Sequence, residues 1–239
     1  MIEHRTKAWY DARLGKFTAS SFPDIMAKPR DKNAQLSKSA LSCIEQLARE
    51  TYFGKPVVFP DSDSTRWGLR HEERALKEFS SNMNFEIEDV GFLLHPTIRS
   101  VGATPDALVT VHDQAEEHIL VQVKCPFNQK YHRRYCQVVR DNASLRKCRS
   151  AYYWQMQGEM WVTGAEANYF VSFDPREDWS EDRILVAKIL RDDKAIQELE
   201  KQVLKAIEVK EIFLYEFQRM NITPLSIKIY DYVAEKYKL

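Results

Sequence analysis

Residues 100–124 restrict the possible folds more than any other stretch of this chain. Ser100–Val111 and His118–Lys124 are apolar runs with strand-like alternation, and His112–Glu117 between them is polar. That pattern reads as an antiparallel hairpin, with Pro105 a local irregularity in the first arm. Strand side chains alternate between faces. In the second arm Ile119, Val121 and Val123 therefore share one face, and Leu120, Gln122 and Lys124 share the other. Taken alone, the strand could equally be an edge strand with its polar side in water. The first arm removes that isolation, because the hairpin brings Asp106 beside Gln122.

Mg²⁺ takes hard oxygen ligands and retains several waters. Two carboxylates and a backbone carbonyl make such a site. A lysine two residues past the second acid reaches the same face and can position a water or offset developing charge. Pro105-Asp106 followed by an acid-x-Lys triplet is the pattern of Mg²⁺-dependent nucleases of the PD-(D/E)xK type. Here the triplet is Gln122-Val123-Lys124, with an amide in place of the acid.

The rest of the chain alternates helical and strand-like segments. The region 5–28 carries Trp9, Leu14, Phe17, Phe22, Ile25 and Met26, with Thr18-Ala19-Ser20-Ser21 as a helix start. Helical apolar spacing runs over 36–52, bounded by Pro56 and Pro60. It returns over 64–82, starting near Ser64 or Thr65, with Trp67, His71, Ala75, Leu76 and Phe79 on one side. Glu86–Leu94 reads as one strand. Helices are expected over 145–163 and 192–219, strands over Asn168–Phe173 and Ile184–Leu190, and a short tail after Pro224. No repeat or linker divides the 239 residues, which predicts a single domain, residues 1–239, of α+β or α/β class.

The charges cancel, with 35 Lys/Arg against 35 Asp/Glu, but they are not evenly spread. Residues 124–150 carry eight Lys/Arg and one acid, whereas 61–123 carry five Lys/Arg and twelve acids. A basic stretch directly after Lys124 suits a surface that tracks a nucleic-acid backbone, or else a solvated helix face. Cys43, Cys125, Cys136 and Cys148 lack zinc spacing and read as reduced thiols. The histidines make no metal pattern, and His71 beside Glu72 reads as structural. The absence of a phosphate-cradling Gly-rich loop argues against ATP hydrolysis, and no acyl-transfer constellation is present. No signal-peptide pattern or apolar run of membrane length occurs, so a cytoplasmic location is expected.

Several short motifs, in order, resemble the phage lambda exonuclease family, also described as viral recombinase or alkaline-exonuclease-like. They are Arg13-Leu14-Gly15, Thr18-Ala19-Ser20 and Ala27-Lys28-Pro29-Arg30, then Trp67-Gly68 with Glu72, then Thr104-Pro105-Asp106. Val123-Lys124-Cys125-Pro126-Phe127, Tyr153-Trp154-Gln155-Met156-Gln157, Met160-Trp161-Val162-Thr163 and Phe173-Asp174-Pro175-Arg176 complete the set, over roughly 9–176. Each piece is weak alone, and the ordered set is specific.

The resemblance implies a central mixed β-sheet flanked by helices, with a PD-(D/E)xK (restriction-endonuclease-like) core. It implies Asp106, position 122 and the Val123 carbonyl as ligands of Mg²⁺, with Mn²⁺ the alternative. Lys124 would be the catalytic lysine, Glu72 an accessory acid and Gln155 a contact from the later helix. Arg13, Ser20, Arg30, Thr104 and Lys130 would bind the 5′-phosphate end. The implied activity is 5′→3′ digestion of one strand of linear double-stranded DNA by a homotrimeric ring in a bacterial host. The 3′ overhangs would pass to a phage-type single-strand annealing protein. Gln122 departs from the pattern and implies an impaired or inactive copy, either a deliberate Glu→Gln change or natural divergence. Retention of Asp106, Lys124 and Glu72 favours the first. Two other readings are a structure- or site-specific endonuclease on the same core and a non-catalytic DNA-end-binding protein.

Overall fold

A computed structural model describes residues 6–57, 62–110 and 119–239. In chain order the helices are α1 (Lys7–Arg13), α2 (Phe22–Ile25), α3 (Lys38–Phe53), α4 (Asp63–Met83), α5 (Gln129–Val138), α6 (Asn142–Thr163), α7 (Ser180–Arg183), α8 (Asp193–Met220) and α9 (Tyr230–Tyr237). The strands are β1 (Phe17–Thr18), β2 (Glu86–Glu88), β3 (Leu93–Leu94), β4 (Val101–Ala103), β5 (Ala107–Thr110), β6 (Ile119–Lys124), β7 (Ala167–Phe173) and β8 (Ile184–Leu190). The long helices begin where side-chain oxygens can cap their free N–H groups. Ser37, Ser62, Asp141 and Asp192 accept from Ala40, Thr65, Ser144 and Ala195.

The described strands form a sheet of order β2-β5-β6-β7-β8 and a smaller one of order β1-β4-β3. In the larger sheet only β6 and β7 run parallel, so the sheet is mixed. Strand β6 lies between β5 and β7, which removes the edge-strand reading. Its alternation sorts residues into two cores. Ile119, Val121 and Val123 pack with Ala75 and Phe79 of α4 on one face. Leu120 joins the larger core on the other, with Phe170, Ile189 and buried residues of α3, α6 and α8. Gln122 is on that second face and is only 3 % exposed.

Three expectations need correction. Glu86–Leu94 is two strands in different sheets, because the Asp89 carboxylate accepts the Gly91 N–H and Gly91 takes φ 59°, which breaks the run. The first hairpin arm is likewise β4 and β5, split by Thr104-Pro105-Asp106. The polar turn His112–Glu117, together with Val111 and His118, lies outside the described residues. The tail after Pro224 holds α9, anchored because the buried Glu45 carboxylate accepts the N–H groups of Ile229 and Tyr230. Helix α5 is an addition to the expected elements, and α6 begins at Asn142 and kinks at Arg149 (φ −151°, ψ 79°). Gly158 in α6 lets Phe22 lie against the helix, since a Cβ there would overlap the Phe22 ring. No helix among the described residues is long and apolar enough to cross a membrane.

Candidate active site

The β5–β6 register sets Ala107 opposite Val121, and the Asp106 N–H donates to the Val121 carbonyl at 3.0 Å. This holds Asp106 at the mouth of the hairpin, facing the end of β6. Its Oδ2 accepts the Val123 N–H at 2.7 Å and a short hydrogen bond from Gln122 Nε2. That same nitrogen lies 3.4 Å from the Val123 carbonyl oxygen. The Gln122 NH₂ thus sits between two hard oxygens. The donors fit a divalent cation in type, with the Asp106 carboxylate and the Val123 carbonyl. They are one negative charge short at position 122. Accordingly, no group of three or more His, Cys, Asp or Glu suited to a metal occurs among the described residues.

Helix α6 closes the site from the far side. Gln155 Nε2 donates to Gln122 Oε1 at 2.8 Å, and Gln155 Oε1 accepts from Lys124 Nζ at 3.1 Å. Lys124 also lies 5.1 Å above the Tyr152 ring, and the Arg149 guanidinium, at the α6 kink, lies 5.4 Å from the same ring. Lys124, Val123, Cys125, Glu72 and Tyr152 line a cleft of about 250 Å³. Burial and the nearby acids Glu72 and Asp106 push the Cys125 thiol up to about 12, so it stays protonated.

A second cleft, of about 540 Å³, surrounds Arg13. The guanidinium donates to Thr104 Oγ1 at 2.7 Å, to Ser20 Oγ at 3.4 Å and to Thr18 Oγ1 at 3.5 Å, and lies 4.2 Å over the Trp9 ring. Among the described residues no carboxylate is in ion-pair contact with it. Burial lowers its pKa to about 10, partly offset by Glu50 and Tyr10, so it stays cationic at neutral pH. Glu50, Asp24 and Lys16 also line this cleft. Thr104-Pro105-Asp106 links the two clefts, since Thr104 holds Arg13 and Asp106 holds Val123.

Of the residues marked in the sequence, the structure gathers Asp106, Gln122, Val123, Lys124 and Gln155, with Glu72 lining the same cleft. Arg13, Ser20 and Thr104 meet in the other. Arg30 is exposed in a separate cleft beside Asp231, although Ser39 lines both that cleft and the Arg13 cleft. Lys130 is exposed in the first turn of α5.

Sequence reading missed Arg149, Thr18 and, above all, Glu159. The last is fully buried in α6, and its oxygens accept from Gln155 Nε2 at 2.9 Å and Asn168 Nδ2 at 2.7 Å. The available signal was an acid four residues after Gln155, hence on the same helix face. Burial, then repulsion by Asp106, raises its pKa to about 8, against the pull of Lys124. Between the unfolded value near 4.5 and about 8 the folded chain therefore binds the extra proton. Metal-free protein should lose stability, by up to a few kcal/mol, as pH rises through that window, and level off above it. Urea midpoints in chelator from pH 5 to 9 check this. The Glu159→Gln variant should have a flatter profile, and an identical slope would refute the assignment.

The domain model described as "YqaJ-like viral recombinase domain" matches residues 8–166. The chain is 28% identical to the alkaline exonuclease LHK-Exo from Laribacter hongkongensis, over 90% of this chain and 98% of that one, with a TM-score of 0.75. The complex of LHK-Exo with dAMP superposes with a TM-score of 0.76, at the same identity and coverage. A phage related exonuclease from Haemophilus somnus shares the fold at 18% identity, with a TM-score of 0.65 over 86% of this chain and 96% of that one. No curated protein sequence matches.

Proposed function

The chain belongs to the YqaJ-like viral recombinase domain family, and on that premise we propose that it is a Mg²⁺-dependent 5′→3′ exonuclease acting on linear duplex DNA. It removes one strand and leaves 3′ overhangs suited to recombination by annealing. The observation that carries this reading is the link between the two clefts. An oxygen cluster with a lysine beside it stands two residues from a hydroxyl-lined guanidinium. A terminal phosphate held by Arg13 would set the next phosphodiester near Asp106 and Lys124. The dAMP complex of LHK-Exo supports the same class of product, a deoxynucleoside monophosphate.

Asp106 and the Val123 carbonyl would hold the cation, with position 122 beside them and Glu72 reaching in through water. When bound, the cation supplies Lewis-acid polarisation of the phosphate and a more acidic water. Lys124 does the positional work. Its Nζ is held by Gln155 and Tyr152, so it meets an attacking water or a phosphoryl oxygen from a fixed direction. Gln122 leaves this site slower than a carboxylate would.

We further propose that the chain is one domain, that it forms a homotrimer threaded on DNA, and that the product strand passes to a single-strand annealing protein. The exposed cations that follow β6, including Lys130, Arg134 and Lys147, supply a salt-sensitive grip on the DNA backbone. The test pairs linear with closed circular duplex in Mg²⁺. Loss of linear substrate alone is expected, no loss should occur in chelator, and light scattering should give three times the mass of the chain. Nicking of the circle would favour the endonuclease reading, and a monomeric mass would remove the ring.

A further inference from the structure

Glu159 is a fully enclosed carboxylate beside the site. Among the described residues no cation is within ion-pair distance of it. Asp106 repels it and Lys124 attracts it from the sheet side. Enclosing a carboxylate without a paired cation is costly. The neighbourhood is nonetheless arranged to keep its orientation. Asn168 commits its NH₂ to Glu159, which leaves the buried Asn168 Oδ1 without a partner. Gln155 Nε2 donates to Glu159 and to Gln122 at once. Glu159 is thus one hydrogen-bonded side chain from the position where the second carboxylate of a cation site would lie.

We propose that Glu159 supplies the second negative charge of the cation site, standing in at longer range for the carboxylate that position 122 lacks. This rests on the metal-dependent nuclease reading above. Glu159 is a positioning residue that acts through Gln155 and Gln122. The Gln122 amide now points its NH₂ at Asp106 and the Val123 carbonyl, which opposes a cation. To offer oxygen it must turn over, and its NH₂ then needs an acceptor on the α6 side. Gln155 presents Nε2 there, so its amide must turn as well, at a cost set by the other acceptor of that Nε2, Glu159. The field of Glu159 also reaches the cation through a poorly screened interior. Without a cation Glu159 keeps its proton up to about pH 8, and a cation at the site would favour its ionised form, which a neutral side chain at 122 does not oppose.

The test is Mn²⁺ binding by the full chain, followed by calorimetry and by the electron paramagnetic resonance of free Mn²⁺, without DNA. Glu159→Gln should weaken binding about tenfold or more while its melting temperature in chelator holds or rises. Gln122→Glu combined with Glu159→Gln, which returns the charge to the strand, should bind at least as tightly as the unmodified chain. If folded Glu159→Gln binds Mn²⁺ as the unmodified chain does, the proposal falls while the nuclease reading stands. If neither the unmodified chain nor Gln122→Glu binds Mn²⁺, both fall. Should Glu159→Gln not fold, the double variant decides. Folded and binding, it supports the proposal. Folded without binding, or itself unfolded, it overturns the proposal, because Glu159 would then be needed whatever occupies position 122.

Discussion

Gln122→Glu is expected to raise Mg²⁺-dependent loss of linear duplex DNA by about a hundredfold or more, since direct charge stabilisation at a metal site contributes several kcal/mol of barrier lowering. The geometry gives the reason. Gln122 Nε2 lies between Asp106 Oδ2 and the Val123 carbonyl, with hydrogens directed at both. To serve a cation the Gln122 amide would first have to rotate, and it would then supply only a neutral oxygen. A glutamate removes that reorganisation and adds a full charge. The Gln155 NH₂ that now serves Gln122 Oε1 would serve the new carboxylate without moving.

The same substitution carries a cost that can be read separately. Without metal it crowds Asp106, a carboxylate at 122 and Glu159 around Gln155. Like charges in a dry site raise one another's pKa and destabilise the fold. Gln122→Glu should therefore melt lower than the unmodified chain in chelator and regain the loss when Mg²⁺ is added. Equal degradation rates for the two forms at equal concentration would sink the activity claim. A melting temperature indifferent to Mg²⁺ would sink the account of position 122.

Much of this site was legible because strand alternation is a strict rule. Placing Leu120, Gln122 and Lys124 on one face required only the period of two, and the β6 cores follow it. Asp106 followed from the hairpin. The break at Thr104-Pro105-Asp106 was harder, since one apolar run can serve two sheets when a proline interrupts the ladder. Gly91 hid a similar break. The tail helix α9 was invisible because its anchor, Glu45, lies more than 180 residues away. Glu159 carried only a faint signal, its spacing from Gln155, for the same kind of reason. Its neighbours in α6 are Met156, Met160 and Trp161, so the segment reads as apolar core with one stray acid. Only the fold shows that Asn168 faces it and that the pair is enclosed beside Gln122.

Arg13→Ala should abolish a preference for 5′-phosphorylated over 5′-hydroxyl ends, measured as initial rates on matched linear duplexes. Arg13 is half-buried and in contact with three hydroxyls, and no described carboxylate is in ion-pair contact with it. Thr104, Thr18 and Ser20 can turn their O–H groups toward an anion, while the guanidinium offers two parallel donors. Trp9 beneath it fixes the plane of that fork. A terminal phosphate dianion would compensate a cation that burial now disfavours, so the gain from binding exceeds that at an exposed arginine. Charge-assisted hydrogen bonds contribute about 1.5–3 kcal/mol each, so losing the fork should cost on the order of tenfold to a hundredfold on phosphorylated ends. Hydroxyl ends should be little affected. Arg30→Ala, exposed in the neighbouring cleft, should have the smaller effect. The assay is most sensitive in the Gln122→Glu background, where turnover is fastest. An end preference that survives Arg13→Ala would place the phosphate pocket elsewhere. A loss that is equal on both kinds of end would mean that Arg13 supports the hairpin through Thr104 and does not read the phosphate.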